Sequence, residues 1–157
     1  PKRHAICVTG QLGRLTLRSL LSQVPLDDVD LFLVLGDNAI SFVESTYYPL
    51  QVKSGPYTNA TAQALREETH ARFVELYDQS ALDRIPATSS LHEGSASRAS
   101  LHIRQLHNIG RCLQRVAEAE AEADHRYETV TKVREDTWFV APFDPTVLAG
   151  VGVATLA

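Results

Sequence analysis

Two apolar runs separated by a helical interval constrain this chain more than any other feature in it. Ala5-Ile6-Cys7-Val8-Thr9 closes at Gly10, and Val29-Asp30-Leu31-Phe32-Leu33-Val34-Leu35 closes at Gly36-Asp37-Asn38. Short, near-continuous apolar runs are what strands buried on both faces look like. Between them Leu15, Leu17, Leu20, Leu21 and Val24 recur at helical spacing, and Pro25 stops the helix. Strand, helix and strand in this order predict a parallel βαβ unit, because parallel neighbours need a crossover and a helix supplies it.

The rest of the chain extends that unit. A helix is expected over residues 60–77, capped by Thr58 or Asn59, with Leu65, Val74, Leu76 and Tyr77 as a partial apolar stripe. Residues 84–88 read as a short edge strand, since Pro86 cannot donate to a central ladder. Residues 39–58 read as irregular, with a short helix near Phe42 and Val43. The longest helix is expected over residues 98–123, its stripe running through His102, Leu106, Ile109, Leu113, Val116 and Glu120 and widened by Leu101, Cys112 and Ala117. A third clear strand covers residues 127–134 and ends in Arg134-Glu135-Asp136, and Trp138-Phe139-Val140 would begin a fourth. The order predicts an α/β fold, a mainly parallel sheet flanked by helices.

A length of 157 residues suits a single domain over residues 1–157. With 44% hydrophobic and 22% charged residues the composition is globular, and a net charge of −4 gives no basic field for nucleic acid. No apolar run approaches the roughly 20 residues that span a bilayer. The chain begins at Pro1 and contains no methionine, so the expectation is the N-terminal part of a longer protein. Cys7 and Cys112 lie far apart in apolar surroundings and read as two buried free thiols, with a disulfide as the competing reading. The six histidines show no zinc-binding spacing.

Three clusters fall where such folds build sites. Thr9-Gly10-Gln11-Leu12-Gly13-Arg14 follows the first strand, and its glycines would let backbone N–H groups approach an anion at a helix start. It is neither G-x-G-x-x-G nor a P-loop, so an ordinary turn is the competing reading. The long helix opens with Arg98, His102, Arg104, Gln105 and Asn108, where Arg98 shares a face with Gln105 and Arg104 with Asn108. An arginine there would pair bidentately with phosphate, against the competing reading of a solvated face. The third cluster is Arg134-Glu135-Asp136, with a solvated charged turn after the strand as the competing reading. Asp136 is the metal candidate, with Glu135 expected on the opposite side by strand alternation. Asp37 is a further acidic strand end. A Ser–His–Asp system is set aside, because no G-x-S-x-G elbow occurs.

Ala5–Arg14, Val29–Phe32, Ile103–Cys112 and the spaced Tyr127…Val133-Arg134-Glu135-Asp136 together resemble glycosyltransferase-like proteins of eukaryotic microbes and large viruses. The resemblance implies a GT-A-like, Rossmann-like nucleotide-binding half that holds a nucleotide-sugar donor for an unknown glycan or small-molecule acceptor. Carried over residue by residue, Thr9, Gly10, Gln11 and Arg14 would lie near the nucleotide. Arg104 and Gln105 would contact nucleotide or diphosphate, and Asp136 would ligate a divalent metal, Mn²⁺ or Mg²⁺. The acceptor-binding half is expected outside this chain. The reading from another class is a non-catalytic α/β binding or interaction domain.

Overall fold

The structure, a computed structural model, describes residues 1–36, 59–83 and 96–148. Strand β1 (His4–Gln11) leads through a 3₁₀ turn (Leu12–Arg14) and helix α1 (Leu17–Gln23) into β2 (Val29–Gly36). Helix α2 (Asn59–Thr69), β3 (Phe73–Tyr77), α3 (Gln79–Asp83), α4 (Ala96–Ala123) and β4 (Thr129–Arg134) follow, with a 3₁₀ turn at Pro145–Leu148. The strands form one sheet in the order β3-β2-β1-β4, and all three pairings are parallel. This is the α/β, Rossmann-like architecture expected from the βαβ pattern.

Burial explains the two opening runs. Ala5, Ile6, Cys7 and Val8 on β1, and Leu31 to Leu35 on β2, are at most 2% exposed, because these central strands are covered on both faces. On one face Ile6, Val8, Leu31 and Leu33 meet Leu20 of α1, Val24 just after it and Leu65 of α2. On the other, Ala5, Cys7, Phe32 and Val34 meet Cys112, Val116 and Ala119 of α4. Both cysteines belong to this second core, and they are not free. Cys7 of β1 and Cys112 of α4 form a disulfide across 105 residues of sequence.

Three sequence expectations change. The helix expected over residues 60–77 ends at Thr69, and residues 73–77 are the strand β3. His70 takes a left-handed φ of 51°, which breaks the helix, and the Thr69 hydroxyl donates to the Leu65 carbonyl at 2.7 Å. Helix α4 buries Asn108, Cys112, Val116 and Ala119; of the expected stripe Cys112 and Val116 are buried, whereas Leu106 and Leu113 are 71% and 49% exposed. Small residues and the disulfide bring that side of α4 down onto the sheet. Trp138-Phe139-Val140 forms no strand, because its backbone bonds go to α1: the Phe139 N–H donates to Ser19 Oγ at 2.7 Å. Residues 39–58, Asp37 and the edge strand expected at residues 84–88 lie outside the described residues.

Candidate functional site

The chain runs β1, β2, β3 outward across the sheet and then returns through α4 to place β4 on the other side of β1. The order of connection therefore reverses between β1 and β4, the switch point where open α/β sheets leave a crevice beyond their strand carboxyl ends. A cavity of about 250 Å³ opens there. Thr9, Gly10, Gln11 and Arg14 line it from the end of β1 and its turn, and Arg104, Gln105 and Asn108 from the first half of α4. Tyr77, Gln79, Lys132, Arg134 and Glu135 complete the wall.

Register explains why strand and helix residues converge. Thr9 pairs with Arg134 and Cys7 with Lys132, so these side chains share the face that α4 covers. Helix α4 is held over that face by the disulfide and by Arg111, which donates to both oxygens of Glu75 on β3, Nε at 3.1 Å and Nη2 at 2.8 Å. Asn108 lies one turn before Cys112 and Arg104 a further turn on, which brings both to the strand ends. Gln79 is buried, and with its amide turned to present oxygen it accepts from Arg104 Nε at 3.0 Å and Nη1 at 2.5 Å.

The Arg134-Glu135-Asp136 end differs from the sequence expectation. The strand stops at Arg134, and the Thr16 N–H and hydroxyl bind the Glu135 carbonyl at 2.9 and 3.2 Å. The two-residue alternation ends with the strand, so parity does not carry through to residue 136. It is Glu135 that lines the cavity and lies against Gly10, whose φ of 145° no L side chain adopts readily. Asp136 is not among the lining residues. Its Oδ1 accepts from Arg134 Nε at 3.0 Å, and its Oδ2 from Arg134 Nη2 at 3.1 Å and from Arg14 Nη2. Arg14 Nη1 also lies 3.5 Å from Glu135 Oε1.

These pairings set the charge of the site. Among the described residues Arg14 and Arg134 pair with Glu135 and Asp136, and Lys132 and Arg104 also line the cavity. Basic side chains converging on one cavity suit an anion. A divalent cation fits poorly at Asp136. Both Asp136 oxygens already accept from guanidinium groups, which a metal would have to displace. No group of three His, Cys, Asp or Glu side chains able to hold a metal occurs among the described residues. Burial, reinforced by Arg134 and opposed by Glu135, holds the Lys132 ammonium below the ordinary lysine range.

Two amides at the cavity offer acceptor oxygens to a ligand. Asn108 is 4% exposed, and its Oδ1 has no hydrogen bond among the described residues, nor does the buried Gln11 Oε1. A buried amide left unsatisfied costs about 1–3 kcal/mol, which a polar ligand in the cavity would recover.

All six residues expected at a nucleotide, Thr9, Gly10, Gln11, Arg14, Arg104 and Gln105, thus border one cavity, while Asp136 sits behind it in an ion-pair cluster. Arg98 falls in the first part of α4, and its side chain is outside the described residues. Lys132, Arg134, Asn108, Tyr77 and Gln79 complete the lining. Asn108 was visible as Arg104's helical neighbour, whereas Lys132 had no local signal. No helix among the described residues is long and apolar enough to cross a membrane. No protein-family model, curated protein or solved structure matches this chain.

Proposed function

We propose that this chain is the donor-binding part of a glycosyltransferase, and that the switch-point cavity takes the diphosphate of a nucleotide-activated sugar. The supporting observation is the convergence of Arg104, Lys132 and Arg134 with the Gly10 turn and two unsatisfied amides on one cavity. Cationic forks and amides are the groups that bind phosphate oxygens. At about 250 Å³ the cavity is smaller than sites that enclose a whole drug-sized ligand, roughly 300–1,000 Å³. It suits the diphosphate, with the nucleoside and sugar extending beyond it. Held in place, those cations would stabilise the charge that develops on the departing nucleoside diphosphate.

Titration calorimetry with UDP, GDP and their sugar conjugates tests this. Binding of at least one is expected, and Arg104→Ala should weaken it roughly tenfold to a hundredfold, the loss of a charge-assisted hydrogen bond. Absence of binding by every nucleoside diphosphate, with or without Mn²⁺, overturns the reading. A non-catalytic phosphate-binding module is the second reading, favoured by the engagement of both Glu135 and Asp136 with guanidinium groups. Slow hydrolysis of a bound nucleotide sugar separates the two, because only a transferase accelerates it.

The depressed Lys132 adds a pH dependence. A bound phosphate favours the charged ammonium, so the complex holds the proton to higher pH than the free protein does. Affinity should therefore be full below the lowered Lys132 value and fall as pH rises through it, on the acid side of 10.5. Lys132→Gln should remove that slope. A slope unchanged in the variant would place the titrating group elsewhere.

A further inference from the structure

We infer that the cavity takes a phosphate together with hydroxyls of the sugar ring joined to it, Asn108 and Gln11 accepting from those hydroxyls through their amide oxygens. The inference rests on the donor-site reading above and narrows what that site recognises. Ionised phosphate oxygens only accept hydrogen bonds, so cations and N–H groups suit them and an amide oxygen does not. Asn108 is 4% exposed, Gln11 Oε1 is buried, and neither amide oxygen has a hydrogen-bond partner among the described residues. Both residues line the same cavity as Lys132 and Arg134. Acceptors therefore stand beside basic groups, and the ligand that satisfies both carries donors beside its anion. A sugar phosphate meets that description, and inorganic pyrophosphate does not.

The fold holds the two amides on different walls. Gln11 ends β1, in register with Gly36 of β2. Asn108 lies on α4 one turn before Cys112, whose disulfide to Cys7 fixes the helix on the sheet. The terminal amide torsions of Asn and Gln are broad, so either oxygen turns toward a hydroxyl at little cost. An acceptor left buried and unpaired is costly, so a site of this kind discriminates against a ligand that lacks the hydroxyl. Two rings adjoin the diphosphate of a nucleotide sugar, the ribose on one side and the transferred sugar on the other. Both offer the same hydroxyl chemistry, and the choice of probes separates them.

Titration calorimetry on wild type and Asn108→Leu tests the inference, with inorganic pyrophosphate, UDP, GDP, their 2′,3′-dideoxy forms and glucose 1-phosphate as probes. At least one ring-bearing probe should bind more tightly than pyrophosphate. Asn108→Leu keeps the volume and removes the acceptor. It should weaken that probe about tenfold while leaving pyrophosphate within about twofold of wild type. With that loss in hand, a dideoxy form weaker than its parent assigns the hydroxyls to ribose, and one that binds equally well assigns them to the transferred sugar. Pyrophosphate binding as tightly as every ring-bearing probe overturns the inference and leaves the donor-site reading standing. So does an Asn108→Leu loss below about threefold on the ring-bearing probe, or an equal loss on pyrophosphate. Binding by no nucleoside diphosphate overturns the donor-site reading and the inference with it. Should Asn108→Leu fail to fold, Gln11→Met is read by the same criteria.

Discussion

Replacing Cys7 and Cys112 together by alanine is expected to lower the melting temperature by roughly 6–12 °C. A disulfide of long span contributes about 3 kcal/mol, and each kcal/mol moves Tm by roughly 2–4 °C at this size. The crosslink closes a loop of 105 residues that contains α1, β2, α2, β3, α3 and most of α4, so its loss releases a large part of the unfolded chain. It also removes two sulfurs from the smaller of the two cores, where Cys7 and Cys112 are 2% and 0% exposed. The site should feel the change, since Arg104, Gln105 and Asn108 reach the cavity only while the first half of α4 stays on the sheet. Ligand affinity is therefore expected to fall with Tm, by more than any variant of Leu106 or Leu113 on the exposed side of α4. Calorimetric melting of wild type and double variant, with thiols counted in denaturant before and after reduction, checks both parts. Two reactive thiols in the unreduced wild type, or equal melting temperatures, would show that the bond does not stabilise the fold.

The cysteine pairing illustrates what a single sequence carries. Apolar runs buried on both faces of a sheet announce themselves locally, so β1, β2 and α1 were legible from the spacing of Ile6, Val8, Leu31, Leu33, Leu20 and Val24. Strand β3 was hidden because Phe73, Val74, Leu76 and Tyr77 continue the apolar spacing of α2. The break comes from backbone conformation at His70 and from the Thr69 hydroxyl, neither of which has a firm sequence signature. Losing β3 also hid Tyr77 and Gln79 as site residues, since they stand at and just beyond its end.

For the site, the Gly10 turn and the Arg104 face were readable because each needs only local periodicity. Lys132 was not, because a lysine inside a strand is ordinarily an outward side chain. Its role depends on β4 lying beside β1, a fact of sheet order. The pairing of Cys7 with Cys112 depends on tertiary structure in the same way. The orientation expected of Glu135 and Asp136 differed for a subtler reason. Strand parity was extended past Arg134 into residues whose backbone had already turned toward Thr16.

Gly10→Ala is expected to be the most damaging single substitution at the site, and the reason is steric before it is chemical. A Cβ at this position would overlap the carboxyl group of Glu135, and a φ of 145° is strained for any residue that has one. Backbone strain of this kind costs about 1–3 kcal/mol. Glu135, 4% exposed and facing Arg14, cannot retreat to solvent without leaving a guanidinium unbalanced. Together these should lower Tm by roughly 6–12 °C for a loss near 3 kcal/mol. Phosphate-ligand affinity should fall as well, because the displaced carboxylate would enter the cavity. The double variant Gly10→Ala with Glu135→Ala separates the causes. Removing the carboxylate relieves the overlap but leaves the backbone strain, so the pair should recover part of the stability, with a coupling energy of about 1 kcal/mol or more between the two sites. Strict additivity would mean that Gly10 and Glu135 do not meet, and the contact that shapes this end of the cavity would have to be abandoned.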